Sequence, residues 1–169
     1  MAPMMVPRLR VASGLSALAA AAALITALGS EWWGGLVPCP LCLLERWPYR
    51  VAMVLGALGM LGPRRLIRPA LALLLLSVLA AAGLALVHVG VEQHWWPSPL
   101  PECAAPRFAG GSIAERLGAM PARPSKACED PTYLFDWLPL SMAAMNLLFA
   151  IVSFVALSIF LWRSRESVE

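Results

Sequence analysis

Hydrophobic and polar positions divide the chain into four apolar stretches separated by clusters of charge and proline. The first runs from Val11 to Ser30 without a charged residue, the second lies between Arg50 and Arg64, the third between Arg68 and Glu92, and the fourth from Leu138 to Trp162. A helix needs about 20 apolar residues to cross the hydrocarbon layer, and the first, third and fourth stretches supply them. The second offers thirteen uncharged residues, about 20 Å of helix. To span, it must take Arg50, and even Arg46, into the membrane edge. The pattern predicts spans at 11–30, 47–62, 69–89 and 138–162, joined on one side by segments 31–46 and 90–137. The expected fold is all-α: one integral membrane four-helix bundle occupying residues 1–169.

Composition supports this reading. The chain is 60% hydrophobic and 14% charged, with a mean hydropathy of +0.72, whereas soluble domains run at roughly 45–50% apolar and about 25% charged. A net charge of +3 is too small to argue for nucleic acid, and no aromatic–basic RNA motif is present. The arginines decide orientation. Arg8 and Arg10 precede the first span, Arg64, Arg65 and Arg68 fill the turn between the second and third, and Arg163 and Arg165 follow the fourth. The positive-inside rule makes that side cytoplasmic, with both termini on it. Trp32, Trp33, Trp47, Trp95, Trp96 and Trp137 fall on the opposite side, where amphipathic rings favour the headgroup layer. Arg8, Arg10 and the following apolar run also have the outline of a secretion signal. The run is longer than a usual signal core and is taken as a span.

All four cysteines, Cys39, Cys42, Cys103 and Cys128, lie in the two outer segments, the side on which disulfides form and persist. Four cysteines allow three pairings, and spacing does not choose among them. Two structural disulfides bracing the loops are one reading. Two features favour reactive sulfur instead. A bond across Cys39-Pro40-Leu41-Cys42 closes a loop too short to constrain the unfolded chain much. A Cys-X-X-Cys pair beside positive charge has a lowered thiol pKa, and Arg46 follows Cys42 by four residues, one turn of a helix. No metal is expected, because Cys103 and Cys128 are too far apart in sequence for the usual second half of a zinc site. Leu43 rather than histidine follows the pair, which argues against haem attachment.

The 90–137 segment contains Pro97, Pro99, Pro101, Pro106, Pro121, Pro124 and Pro131, so long regular elements are not expected there. Ser112-Ile113-Ala114-Glu115 is a capping-box sequence. It predicts a short helix with Ile113, Leu117 and Met120 on one face, resting on the membrane surface or packed on the bundle. Cys103 and Cys128 flank this helix in sequence expected to be exposed. Pro48 is tolerated in a first helical turn, so the second span is expected to start near Trp47–Pro48, with Cys39 to Arg46 as an interfacial turn above it. Glu45 and Arg50 are then interfacial anchors. His88 closes the third span as a polar end-cap, and Glu92 and His94 are solvated loop residues.

The run CPLCLLERWPYR, the stretch HVGVEQHWWPSP leading to Cys103, and the second loop cysteine before WLPLSMAAMN resemble the DsbB family of disulfide bond formation proteins. The likeness covers nearly the whole chain; its HVGVE portion is most similar to alphaproteobacterial members. The resemblance implies a thiol:quinone oxidoreductase of the bacterial inner membrane with its cysteines facing the periplasm. A DsbA-like thioredoxin-fold partner would attack a Cys103–Cys128 disulfide and join Cys103. Cys128 would then attack Cys39, and Cys42, released as thiolate, would donate to a quinone (ubiquinone or menaquinone) beside Arg46. In some members a histidine near the end of the third span is linked to the quinone site. His88 is the nearest match, although its spacing to the following loop differs. An oxidase resembling vitamin K epoxide reductase is the alternative enzyme, but there the Cys-X-X-Cys typically follows the loop pair. A membrane protein with purely structural disulfides is the alternative from outside enzymology.

Overall fold

A computed structural model describes residues 5–103, 112–118, 126–135 and 137–166. Its helices are α1 (Met5–Trp32), α2 (Pro40–Leu61), α3 (Arg64–Glu92), a short α4 (Ile113–Gly118) and α5 (Met142–Glu166), with a 3-10 turn at Pro101–Cys103. Among the described residues there is no strand, only an isolated bridge between Tyr133 and Ser141. Helix α1 packs along α2, α2 along α3, and α3 along α5.

Three helices, α1, α3 and Met142–Ser164 of α5, are long and apolar enough to cross a membrane. Their outward faces carry Leu15, Leu18, Ile25, Leu76 and Val152 as exposed residues. Water would penalise that surface, whereas lipid tails are as apolar as leucine. Helix α2 is 22 residues long, about 33 Å at the helical rise, yet it carries Glu45, Arg46 and Arg50 in its first half. Its buried residues explain how it tolerates two of those charges. Leu41, Glu45, Tyr49, Ala52, Gly56 and Gly59 recur at helical spacing and form one inward stripe, and Arg46 is buried beside it. The charges that break the hydropathy pattern point into the bundle. Arg50 stays exposed and lies over the Trp47 ring.

Helix α2 starts two turns earlier than the proline argument predicts. Cys39 is its N-cap, with the sulfur accepting the Cys42 N–H at 3.2 Å, and Pro40 occupies the first turn, where its missing N–H costs nothing. Pro48 therefore lies inside the helix, and its carbonyl accepts a hydrogen bond from Ser77 Oγ of α3 at 2.7 Å. From Pro40 to Arg46 the segment is helix, not an interfacial turn. At the other end, Arg10 of α1 donates to the Met60 and Gly62 carbonyls at 3.1 and 2.9 Å, satisfying acceptors that a helix terminus leaves open. Helix α5 begins at Met142 rather than Leu138. Pro139 disfavours helical geometry at Leu138, and Ser141 Oγ caps the start by accepting the Ala144 N–H at 3.1 Å.

Close approach of α1 and α2 depends on glycine. A Cβ at Gly56 would lie 2.7 Å from the Ser13 carbonyl oxygen and 2.8 Å from Ala17 Cβ, and one at Gly59 would meet Ser13 Oγ at 2.5 Å. Small residues at such contacts let helix backbones pack without intervening side chains.

The capping box forms as its sequence predicts. Ser112 N–H donates to Glu115 Oε2 at 2.7 Å, and Glu115 N–H donates to Ser112 Oγ at 3.3 Å. Ile113 is exposed on the resulting helix. The face expected to carry Leu117 and Met120 falls outside what the structure describes.

Candidate redox site

Cys39 and Cys42 open α2, one at the cap and one in the first turn, with their sulfurs 2.9 Å apart. Cys103 and Cys128 are joined by a disulfide. The two pairs are not in separate places. Cys39, Leu41, Val91, Cys103 and Cys128 form one buried cluster, with Cys42 and Leu100 packed against it. Cys103 is 1% exposed and Cys128 0%, so the expectation of an exposed loop disulfide fails: the ends of the proline-rich segment fold back over the start of α2. The Cys128 N–H donates to the Cys103 carbonyl at 3.3 Å.

His88 is not an end-cap. It is 2% exposed, with Nε2 3.4 Å from Cys39 Sγ and Nδ1 2.8 Å from Glu45 Oε1. Glu45, 6% exposed, is held from its other side by α5, where Asn146 Nδ2 donates to Oε2 at 2.7 Å. The Tyr49 hydroxyl in turn donates to Asn146 Oδ1 at 2.6 Å. A buried carboxylate needs such partners to be tolerated, and α3 and α5 each supply one. The Cys39 thiol lies below its ordinary value, chiefly because the Cys42 thiol hydrogen-bonds to it; burial and Glu45 push it the other way. Cys39, Cys42 and His88 bring three donor atoms within 4.8 Å of one another, one short of the four in a structural zinc site.

Beside the sulfurs, between α1, α2 and α5, lies a cavity of about 300 Å³. Cys42, Glu45, Arg46, Tyr49 and Asn146 form its polar wall, and Ala23, Ala27, Met142, Met145 and Phe149 are among its apolar lining. Arg46 is 8% exposed. Its guanidinium is paired with Glu31 at the end of α1, while its Nε is buried with no hydrogen-bond partner among the described residues. A second, more apolar cavity of about 340 Å³ lies further along the bundle and shares Tyr49 and Phe149 with the first.

The structure thus brings Cys39, Cys42, Cys103, Cys128 and His88 together and sets Arg46 with Cys42 in the adjoining wall. Sequence reasoning missed Glu45, Glu31, Asn146 and Tyr49. One signal for Glu45 was available: it stands four residues from both Leu41 and Tyr49, on the apolar face of its own helix. Glu92 was also misplaced. It is buried, and its Oε2 accepts the Ser141 hydroxyl at 2.5 Å.

The family model described as disulfide bond formation protein DsbB matches residues 9–161. The chain belongs to the DsbB family. Its members are membrane disulfide bond formation proteins, in keeping with three apolar helices and two cysteine pairs. Among similar proteins, a disulfide bond formation protein B from Aromatoleum aromaticum is 37% identical over 90 residues, covering 52% of this chain and 49% of the relative. That match spans about half of the relative's length. A disulfide bond formation protein B from Aeromonas salmonicida is 29% identical over 151 residues, 85% of this chain and 87% of the relative. An uncharacterised protein from Rickettsia prowazekii is 28% identical over 146 residues, 86% and 83% of the two chains. No solved structure matches.

Proposed function

We propose that this family member is a four-span thiol:quinone oxidoreductase of the bacterial inner membrane, which re-oxidises a periplasmic DsbA-like dithiol protein. In this reading α2 is the fourth span, its inward charges neutralised within the bundle. The arginine-rich ends of the helices face the cytoplasm, and the sulfur cluster faces the periplasm. The observation that carries the reading is the shared wall of Cys42 and Arg46 in a cavity large enough for a small ring. A guanidinium in that wall suits a quinone carbonyl, and the apolar remainder suits a ring face. A quinone supplies an acceptor for two electrons and two protons. The second cavity suits its hydrocarbon tail.

The chain's own residues account for the exchange steps. A partner thiolate attacks the Cys103–Cys128 disulfide and bonds to Cys103, releasing Cys128. Cys128 attacks Cys39 of the Cys39–Cys42 disulfide, and Cys42 leaves as thiolate into the cavity wall. Each exchange proceeds through a mixed disulfide, and its rate depends on thiolate fraction and access. Location of all four cysteines in one cluster keeps the internal transfer short. The test combines purified protein, quinone and a reduced thioredoxin-fold partner. Quinone reduction is expected in wild type and absent in Cys42→Ser, and Cys128→Ser should trap the partner on Cys103. Undiminished quinone reduction by Cys42→Ser overturns the reading.

A further inference from the structure

Cys39 stands at the head of a second arrangement that sulfur relay alone does not require. The imidazole of His88 is buried between two groups, with Nε2 on the Cys39 sulfur at 3.4 Å and Nδ1 on the Glu45 carboxylate at 2.8 Å. A carboxylate behind Nδ1 fixes the tautomer that leaves Nε2 free to take a proton from the group in front of it. The carboxylate is itself fixed, because Asn146 occupies its other oxygen at 2.7 Å. Nucleophile, base and orienting group in this order are the general signature of an activated nucleophile.

We propose that Cys39, His88 and Glu45 form a thiol–imidazole–carboxylate triad, in which His88 is the catalytic base for Cys39 and Glu45 the positioning residue for His88. The proposal rests on reading Cys39–Cys42 as a dithiol that is repeatedly oxidised. Closing that disulfide removes two electrons and two protons from the two thiols. The electrons go to the acceptor, by class a quinone, and both protons finally reside on its reduced form. The triad defines the first stop of one proton: the Cys39 S–H bond breaks, its electron pair stays on sulfur, and the proton moves to His88 Nε2. Glu45 faces the imidazolium so formed and also lines the cavity, so the proton is held beside the place where it is consumed. In the reverse sense, the imidazolium returns a proton to Cys39 when that sulfur leaves a disulfide.

The titratable groups facing this pair come from two helices. Cys42 and Glu45 of α2 face Cys39, and Glu45, Cys42 and, from α3 itself, Glu92 face His88. The adjoining Cys103–Cys128 disulfide does not titrate. The Cys42 thiol also lowers the Cys39 thiol, so the two influences must be separated.

The test uses full-length protein with Cys42, Cys103 and Cys128 replaced by serine, leaving Cys39 as the single thiol, and measures its alkylation rate against pH without quinone. The rate is expected to be half-maximal below the ordinary thiol value of about 8.5. His88→Gln should move the midpoint up by a unit or more, a roughly tenfold slower reaction near neutral pH. Glu45→Gln should give a smaller upward shift, with partial recovery in Glu45→Asp. Superimposable profiles for the parent, His88→Gln and Glu45→Gln overturn the triad. A measurement on unsubstituted protein covers failure of the variants to fold. The His88 imidazole nitrogen signals should change from neutral to imidazolium when the Cys39–Cys42 disulfide is reduced, and an imidazole unchanged by reduction overturns the triad as well. Neither readout needs quinone turnover. A shifted profile without quinone reduction would therefore sink the proposed function while leaving the triad standing.

Discussion

Ser141 donates its hydroxyl hydrogen bond to Glu92 across 2.5 Å, joining the last residue of α3 to the cap of α5. The same hydroxyl oxygen accepts the Ala144 N–H, so one side chain serves both as helix cap and as inter-helix latch. Ser141→Ala removes the cap and leaves a buried carboxylate without that donor. A loss of about 1–3 kcal/mol is expected, read as a lower midpoint of thermal unfolding in detergent. Glu92→Leu in the same background should recover part of it, because the stranded carboxylate is gone.

Gly56 controls how closely α1 and α2 can approach. Gly56→Val places branched carbons against the Ser13 carbonyl and Ala17, where even a Cβ has no room. The helices must part, at about 1–3 kcal/mol for overpacking. Ala57, on the neighbouring position, is exposed, and Ala57→Val should leave the unfolding midpoint within the scatter of surface changes. Equal effects from both substitutions would refute the close-approach account.

For Arg46, shape should matter as well as charge. Lysine keeps the charge but has no Nε–H in a planar fork. Arg46→Lys is expected to weaken quinone binding by roughly tenfold or more, about 1.4 kcal/mol, in equilibrium titration with a quinone analogue. Glu31→Gln keeps the guanidinium but releases its partner, so its effect should be smaller. Binding unaffected by Arg46→Lys would remove the guanidinium from the proposed quinone site.

The second cavity gives a separable prediction. Ala156 lines it without lining the first. Ala156→Phe should fill part of the space, raising the KM for a long-tailed quinone roughly tenfold while leaving a tail-less quinone nearly unaffected. The comparison of the two substrates is the readout. Equal changes for both would place the tail elsewhere.

The short helix α4 should respond to acid. Its cap hydrogen bonds from Ser112 hold the Glu115 carboxyl below its ordinary value. A carboxylate favoured in the helix contributes above its unfolded pKa, and that contribution is lost as pH falls through the lowered value. Fraying of α4 on acidification, measured by amide exchange, should therefore set in as pH falls through the usual glutamate range and be complete only below it. In Ser112→Ala, Glu115 should titrate near its ordinary value.

Local pattern made most of the architecture legible. Three spans follow from uninterrupted apolar runs, and the capping box announces α4. The start of α2 is hidden because Pro48 has the look of a helix beginning, whereas the real beginning carries its own proline at Pro40 and a cysteine cap. The site was harder to read, because its decisive contacts join distant positions. His88 lies 43 residues from Glu45, and Asn146 lies 101 residues from it, so no window along the chain reveals that the histidine is clamped. Glu92 reads as solvated for the same reason: its partner, Ser141, caps another helix 49 residues on. Proline density around Cys103 and Cys128 speaks against long helices, but it carries no information about the burial of the two sulfurs.

The inward charges of α2 also bear on how the protein is made. An arginine or a carboxylate at membrane depth resists insertion when alone, so the timing of each partner matters. Glu31 leaves the ribosome before Arg46 and can meet it as soon as α1 and α2 lie side by side. Glu45 has no such predecessor; its partners emerge with α3 and then α5. In the proposed four-span reading, helix α2 therefore settles into the bilayer only once α5 has brought Asn146 to Glu45.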